Sequence, residues 1–151
     1  MYVGLIIVFN TFDSEVLKEY FITSINAMAD VKICLVCNSS NEQVFEVLTE
    51  IAEHCNNTNV VNTKRKKLNT ASVRAGARYM NNQFNLKYLG FIVGLDNFEI
   101  LEVLKTYVQH QETIIALNKI EKGNKAVKPT FYQSLFSVTE YLKKIASSPI
   151  I

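Results

Sequence analysis

Ile6-Ile7-Val8-Phe9 running into Asn10-Thr11-Phe12-Asp13, and Ile33-Cys34-Leu35-Val36 running into Cys37-Asn38-Ser39-Ser40-Asn41, decide the fold. Each is a short apolar run with β-branched residues that ends in a polar loop, and each loop opens a stretch with helical spacing. In nucleotide-binding α/β sheets the ligand sits outside the carboxyl ends of such strands. Here the loops carry amides and hydroxyls where acids or glycines would be expected.

Working outward, Val3–Phe9 reads as a buried first strand, and Ser14–Met28 as a helix with Val16, Leu17, Tyr20, Phe21, Ile25 and Met28 on one face. Val31–Val36 is the second strand. Glu42–Cys55 is the second helix, with Phe45, Leu48, Ile51, Ala52 and Cys55 inward. A third strand begins at Val60-Val61, and a third helix covers Thr70–Met80. Tyr88–Leu95, Phe98–Gln111 and Thr113–Leu117 read as strand, helix and strand. A polar loop, Lys119–Lys128, precedes a last helix from Thr130 to Ala146. Strand and helix therefore alternate, which predicts an α/β fold: a three-layer, Rossmann-like, mostly parallel sheet with helices on both faces. Right-handed connections favour the strand order 3-2-1-4-5, with the switch point between the first and fourth strands. No linker or repeat interrupts the pattern, so residues 1–151 are expected to form one domain.

The totals narrow the classes further. A chain of 151 residues, 48% of them hydrophobic, is long enough for a real core. The net charge of +2 does not by itself imply nucleic acid or an acidic partner. The 3 cysteines, Cys34, Cys37 and Cys55, are too few and too odd for a disulfide framework. Cys34 and Cys37 form a C-x-x-C, but three residues apart on a strand they face opposite sides of the sheet. No apolar run reaches the length of a membrane span, and a cytoplasmic protein is the expectation.

Several functions fail on their motifs. The glycines are Gly4, Gly76, Gly90, Gly94 and Gly123, and none lies in the first strand–helix turn, where a dinucleotide fold needs them. A P-loop and a G-x-S-x-G elbow are both absent. A phospho-receiver would place acids where Asn10 and Thr63 stand. His54 and His110 lie near helix ends with no nucleophile in reach by sequence, and read as surface residues.

One pattern fits in order and spacing over about Val3 to Leu117. Val8-Phe9-Asn10 ends the first strand, Ser24-Ile25 sits in the first helix, and Cys37-Asn38-Ser39-Ser40 ends the second strand. Asn69-Thr70-Ala71 precedes a helix containing Arg74, and Leu95-Asp96-Asn97-Phe98 closes a later strand. In this the chain resembles the nucleotide-binding half of a family 2 glycosyltransferase of the GT-A fold. The resemblance implies that Asn10, Asn38, Ser40, Asn69 and Arg74 hold the nucleotide of a sugar donor. It also implies that Asp96 lies at a divalent ion, Mg²⁺ or Mn²⁺, on the diphosphate. The chain departs from the family pattern at three points. Cys37 replaces an acid, Ala71 a glycine, and Phe98 the second metal aspartate. The acceptor-binding half has no counterpart in the sequence.

Each of these residues also has a plainer reading. Asn10 and Asn38 suit turns and helix entries, and Asp96 suits a helix cap. The run Lys64-Arg65-Lys66-Lys67 could meet a diphosphate, a nucleic acid or a membrane surface, or simply form a solvated loop. Nucleic-acid binding would want a wider basic face interleaved with exposed aromatics, so no nucleic acid is expected. Phe131, Tyr132, Phe136, Tyr141 and Leu142 read as core, with part of the set available as an interface. The expectation is a glycosyltransferase-like domain with weak or lost catalysis. The alternative is a non-catalytic GT-A-like module acting through a partner chain or a homo-oligomer.

Overall fold

The computed structural model describes residues 2–13, 15–123 and 135–147. In chain order the elements are β1 (Tyr2–Phe9), α1 (Glu15–Asn26), β2 (Val31–Cys37), α2 (Glu42–Glu53), β3 (Thr58–Asn62), α3 (Asn69–Gln83), β4 (Leu86–Ile92), α4 (Asn97–Gly123), β5 (Phe136–Ser137) and α5 (Val138–Ser147). All strand pairs are parallel, in the order β3-β2-β1-β4-β5. The fold is therefore Rossmann-like, with the expected strand order.

β1 and β2 are buried on both faces, which is why their sequences are continuous apolar runs. Leu5, Ile7, Phe9, Ile33, Leu35 and Cys37 point to one side, where they meet Leu17, Phe21 and Ile25 of α1 and Leu48 and Ile51 of α2. Ile6, Val8, Cys34 and Val36 point to the other, against Val73, Ala77 and Met80 of α3. Cys34 and Cys37 thus fall on opposite faces of the sheet, as strand periodicity requires. Helix α3 packs close because Gly76 faces the sheet. A Cβ there would stand 2.9 Å from both Ile6 Cγ2 and Val36 Cγ2.

Three expectations need correction. Thr113–Leu117 is not a strand but part of α4, two helical segments that meet at a kink at His110 (φ −117°, ψ 15°). Ile114 and Asn118, one turn apart, are both buried there. A threonine followed by four apolar residues fits a buried helix turn as well as a strand, and the helix wins. The fifth strand is instead the two-residue β5, and the final helix starts only at Val138. Phe131 and Tyr132 lie outside the described residues. On α1, Val16 and Tyr20 are exposed (69% and 54%), because Leu17, Phe21, Ile25 and Met28 already fill the inward stripe.

The placement of α4 also departs from expectation. A right-handed return from β4 to β5 would put it beside α3. Instead Ile100, Leu101, Leu104 and Tyr107 join the α1/α2 cluster, and α5 follows them there. β5 pairs through only two residues, so little twisted strand is available to impose the usual hand. Among the described residues, α3 is left as the lone helix on its face.

Candidate functional site

The carboxyl edge of the sheet carries the loops that could hold a ligand. Asn38, at the end of β2, is fully buried. Its Nδ2 donates to Asn10 Oδ1 at 2.9 Å and to Lys67 O at 3.0 Å. Its Oδ1 accepts from Lys67 N at 2.8 Å, with the Thr63 hydroxyl 3.4 Å away. That hydroxyl also lies 2.7 Å from Arg65 O and 3.0 Å from Cys37 O, and its single proton serves one acceptor at a time. The Asn38 side chain thus copies a strand partner for Lys67 and pins the β3–α3 loop to β1 and β2. Both of its donors are spent on the protein itself.

A second buried asparagine does the same on the other side of β1. Asn97 Oδ1 accepts from Asp13 N at 3.1 Å, and its Nδ2 donates to Thr11 O at 2.9 Å. The β1–α1 loop is therefore clipped to the start of α4, across the switch point where an open α/β sheet usually receives its ligand. Asn97 was legible in the sequence only as the middle of a degenerate acidic turn. A third, Asn57, binds Met28 O and Val31 O at the opposite edge. Nothing in its sequence setting beyond a turn signal distinguishes it.

Asp96 is a helix cap. Its Oδ1 accepts from Glu99 N at 2.8 Å, and Glu99 Oε1 accepts from Asp96 N at 3.1 Å, a reciprocal capping box. Each carboxylate thus has one oxygen on a backbone donor, and the next acidic position of the turn is the 69%-exposed Phe98. Magnesium and manganese want several converging oxygens, which this donor set supplies poorly. Among the described residues no group of three or more His, Cys, Asp or Glu is placed to hold a metal ion.

The remaining candidates separate into two clefts. Ser40 lines an opening of about 540 Å³ beside Asn41, Glu42, Phe45, Glu46, Asn62 and Lys64, so one cation there faces two carboxylates. Asn41 caps α2 through Gln43 N, and Asn62 accepts from Lys64 N, which fixes Lys64 in the left-handed region at φ 66°. Asn69 and Arg74 line a smaller recess of about 220 Å³ on the α3 face, with Val73, Phe91 and Leu135. Gly94, at φ +76°, lies against Asn69; a Cβ there would be 3.3 Å from its Nδ2. The structure therefore joins Asn10 to Asn38, and Asn69 to Arg74, but does not gather all five into one pocket.

The cysteines are quiet. Burial pushes the Cys34 thiol up to about 12 and raises Cys37 and Cys55 as well, so all three favour the inert thiol form. His54 is exposed at the end of α2, with Nδ1 2.8 Å from Glu50 O. No helix among the described residues is long and apolar enough to cross a membrane. Comparison with protein families, with curated proteins and with solved structures finds no match.

Proposed function

We propose that the chain is a glycosyltransferase-like module that keeps a nucleotide-sized cleft at its carboxyl edge and has lost sugar transfer. The observation that carries this reading is the engagement of Asn38, whose amide is taken up by Asn10 and Lys67. An amide so used holds loops together instead of reading a base. Asp96, spent on a cap, supports the same conclusion for the diphosphate end. The cleft beside Ser40 has the volume of a small-ligand site, with Phe45 for a base, Asn62 for hydroxyls and Lys64 for a phosphate, while Glu42 and Glu46 in the same lining keep phosphate affinity low.

Titration with a uridine diphosphate sugar, with and without Mn²⁺, tests it. The expected result is weak binding that metal leaves unchanged and that Lys64→Ala reduces. Binding that tightens with Mn²⁺ would restore an active transferase. No binding at millimolar ligand would remove the nucleotide altogether.

A second reading, a module that acts as a homo-oligomer, is favoured by the groove between α4 and α5. Its floor is Val93, Leu95, Phe98, Val103 and Leu142, in a volume of about 840 Å³. Glu102 and Lys143 line the same groove, and a two-fold axis can let each exchange its long, exposed ion pair (with Lys105 and Glu140) for the other's counterpart. Light scattering across a concentration series, repeated on Phe98→Glu, tests this dimer. A monomer at every concentration would end it.

A further inference from the structure

The near-neutral total conceals a molecule divided by face. The chain has 14 acidic residues, yet none lies between Glu53 and Asp96. That interval holds Lys64, Arg65, Lys66, Lys67, Arg74, Arg78 and Lys87. It builds β3, α3 and β4, and α3 is the lone described helix on its side of the sheet. The acids ride on α1, α2, α4 and α5, on the loops that enter α1 and α4, and, for Asp30, on the turn between α1 and β2. One face is therefore cationic without a compensating carboxylate of its own segment.

The loop at the head of this face is held in shape. Lys64 N donates to Asn62 Oδ1, the Thr63 hydroxyl reaches Arg65 O, and both backbone groups of Lys67 are bound by Asn38. The backbone is pinned while the four basic side chains stay exposed. Ordering such a loop on a partner costs little backbone entropy. Directly after the lysines comes Leu68, 79% exposed, the most exposed large apolar side chain among the described residues.

Lysines beside a bare leucine on a rigid loop suit a layered partner. Its anions would meet the ammonium groups, and its apolar layer, a few ångströms deeper, would take the leucine. A nucleic acid would satisfy the charges but offers Leu68 nothing. Of the exposed aromatics, Tyr20 and Phe98 belong to elements of the opposite face, and Tyr2 sits at the amino edge of the sheet, its ring packed on Phe84 and covered by Lys32, away from the lysine loop. We infer that the α3 face docks on an anionic lipid surface, with Arg65, Lys66 and Lys67 on the headgroups, Leu68 entered into the interfacial layer, and Lys64 left to the cleft beside α2. The inference is independent of the nucleotide cleft.

Co-sedimentation of the full chain with phosphatidylcholine vesicles, with and without phosphatidylserine, tests it. Binding is expected only with phosphatidylserine and is expected to fall with added salt. Lys66→Glu with Lys67→Glu should weaken partitioning about tenfold or more. Leu68→Ser should weaken it several-fold, and Lys105→Glu, exposed on α4 of the opposite face, should change it less than either. Circular dichroism melts confirm that each variant is folded. Absence of binding to the anionic vesicles overturns the inference, as does binding that Leu68→Ser leaves unchanged. Tighter binding to a DNA or RNA oligonucleotide than to the vesicles at the same salt also overturns it.

Discussion

The side-chain amide of Asn38 faces the backbone of Lys67 with both ends matched: Nδ2 lies 3.0 Å from Lys67 O and Oδ1 lies 2.8 Å from Lys67 N. A residue at the end of β2 thereby fixes a loop 29 positions later. The pairing also settles the amide's orientation, because a backbone N–H can only donate and a backbone carbonyl can only accept.

Removing that side chain should cost stability more than binding. Asn38→Ala leaves Lys67 N, Lys67 O and Asn10 Oδ1 without their partner, and a loss of about 2–3 kcal/mol is expected. Asn38→Asp keeps the shape but sets an oxygen against two acceptors, so a loss at least as large is expected. Denaturant titration of both variants is the check. An unchanged midpoint for Asn38→Ala would show that the clip is not holding the loop.

Asn97 predicts a local effect. Asn97→Ala should lower global stability by about 1–2 kcal/mol and release the backbone N–H of Asp13. Hydrogen exchange at Asp13 should speed up while amides in the middle of β1 stay protected. Equal protection at Asp13 in variant and parent would contradict the bridge across the switch point.

Asp96 separates a cap from a metal ligand. Asp96→Ala should cost about 1 kcal/mol, while Asp96→Asn, itself a good cap, should be nearly neutral. Mn²⁺ should leave the melting temperature of parent and Asp96→Asn alike. A metal-dependent rise that disappears in Asp96→Asn would return Asp96 to the diphosphate.

Tyr107 supplies the pH dependence. It is fully buried, and burial, with a smaller contribution from the charge of Asp30, pushes its hydroxyl up to about 12 from the usual 10. The folded value lies above the unfolded one, so the neutral phenol stabilises the fold at lower pH. That contribution, about 2–3 kcal/mol, is complete below about pH 10 and is lost as pH rises through about 12. Its hydroxyl has no hydrogen-bond partner among the described residues. Tyr107→Phe should therefore be neutral or stabilising by about 1 kcal/mol at pH 7 and should flatten the alkaline loss. Stability curves from pH 7 to 12 would decide it.

The inner strands could be read from sequence because burial on both faces leaves unbroken apolar runs, and Val3–Phe9 and Val31–Val36 lie almost where the strands do. Thr113–Leu117 could not be read in that way. The burial of Ile114 comes from α4 packing with α1 and α5, and four apolar residues after a threonine carry no period long enough to tell a turn of helix from a strand. At the carboxyl edge, sequence could place Asn10 and Asn38 at neighbouring strand ends, since parallel register follows from the strand order. It could not show that Asn38 would spend its amide on Lys67, because that depends on the path of a loop with no periodicity. Asp96 was readable as a cap from Glu99 three residues on, a signal carried by local spacing alone.

The absence of acids from the α3 side, while acids and lysines are mixed on the other, gives the molecule a permanent dipole moment across the sheet. In a uniform field a net charge only drifts, whereas a dipole feels a torque. Approaching any negatively charged object, the protein will rotate α3 forward within roughly a Debye length, about 8 Å at physiological salt, before a contact is made. Encounter orientation is thus settled by where forty-odd residues of chain happen to lack aspartate and glutamate. A single carboxylate introduced on the outer side of α3, at Ala71 for example, should weaken that alignment without touching the core.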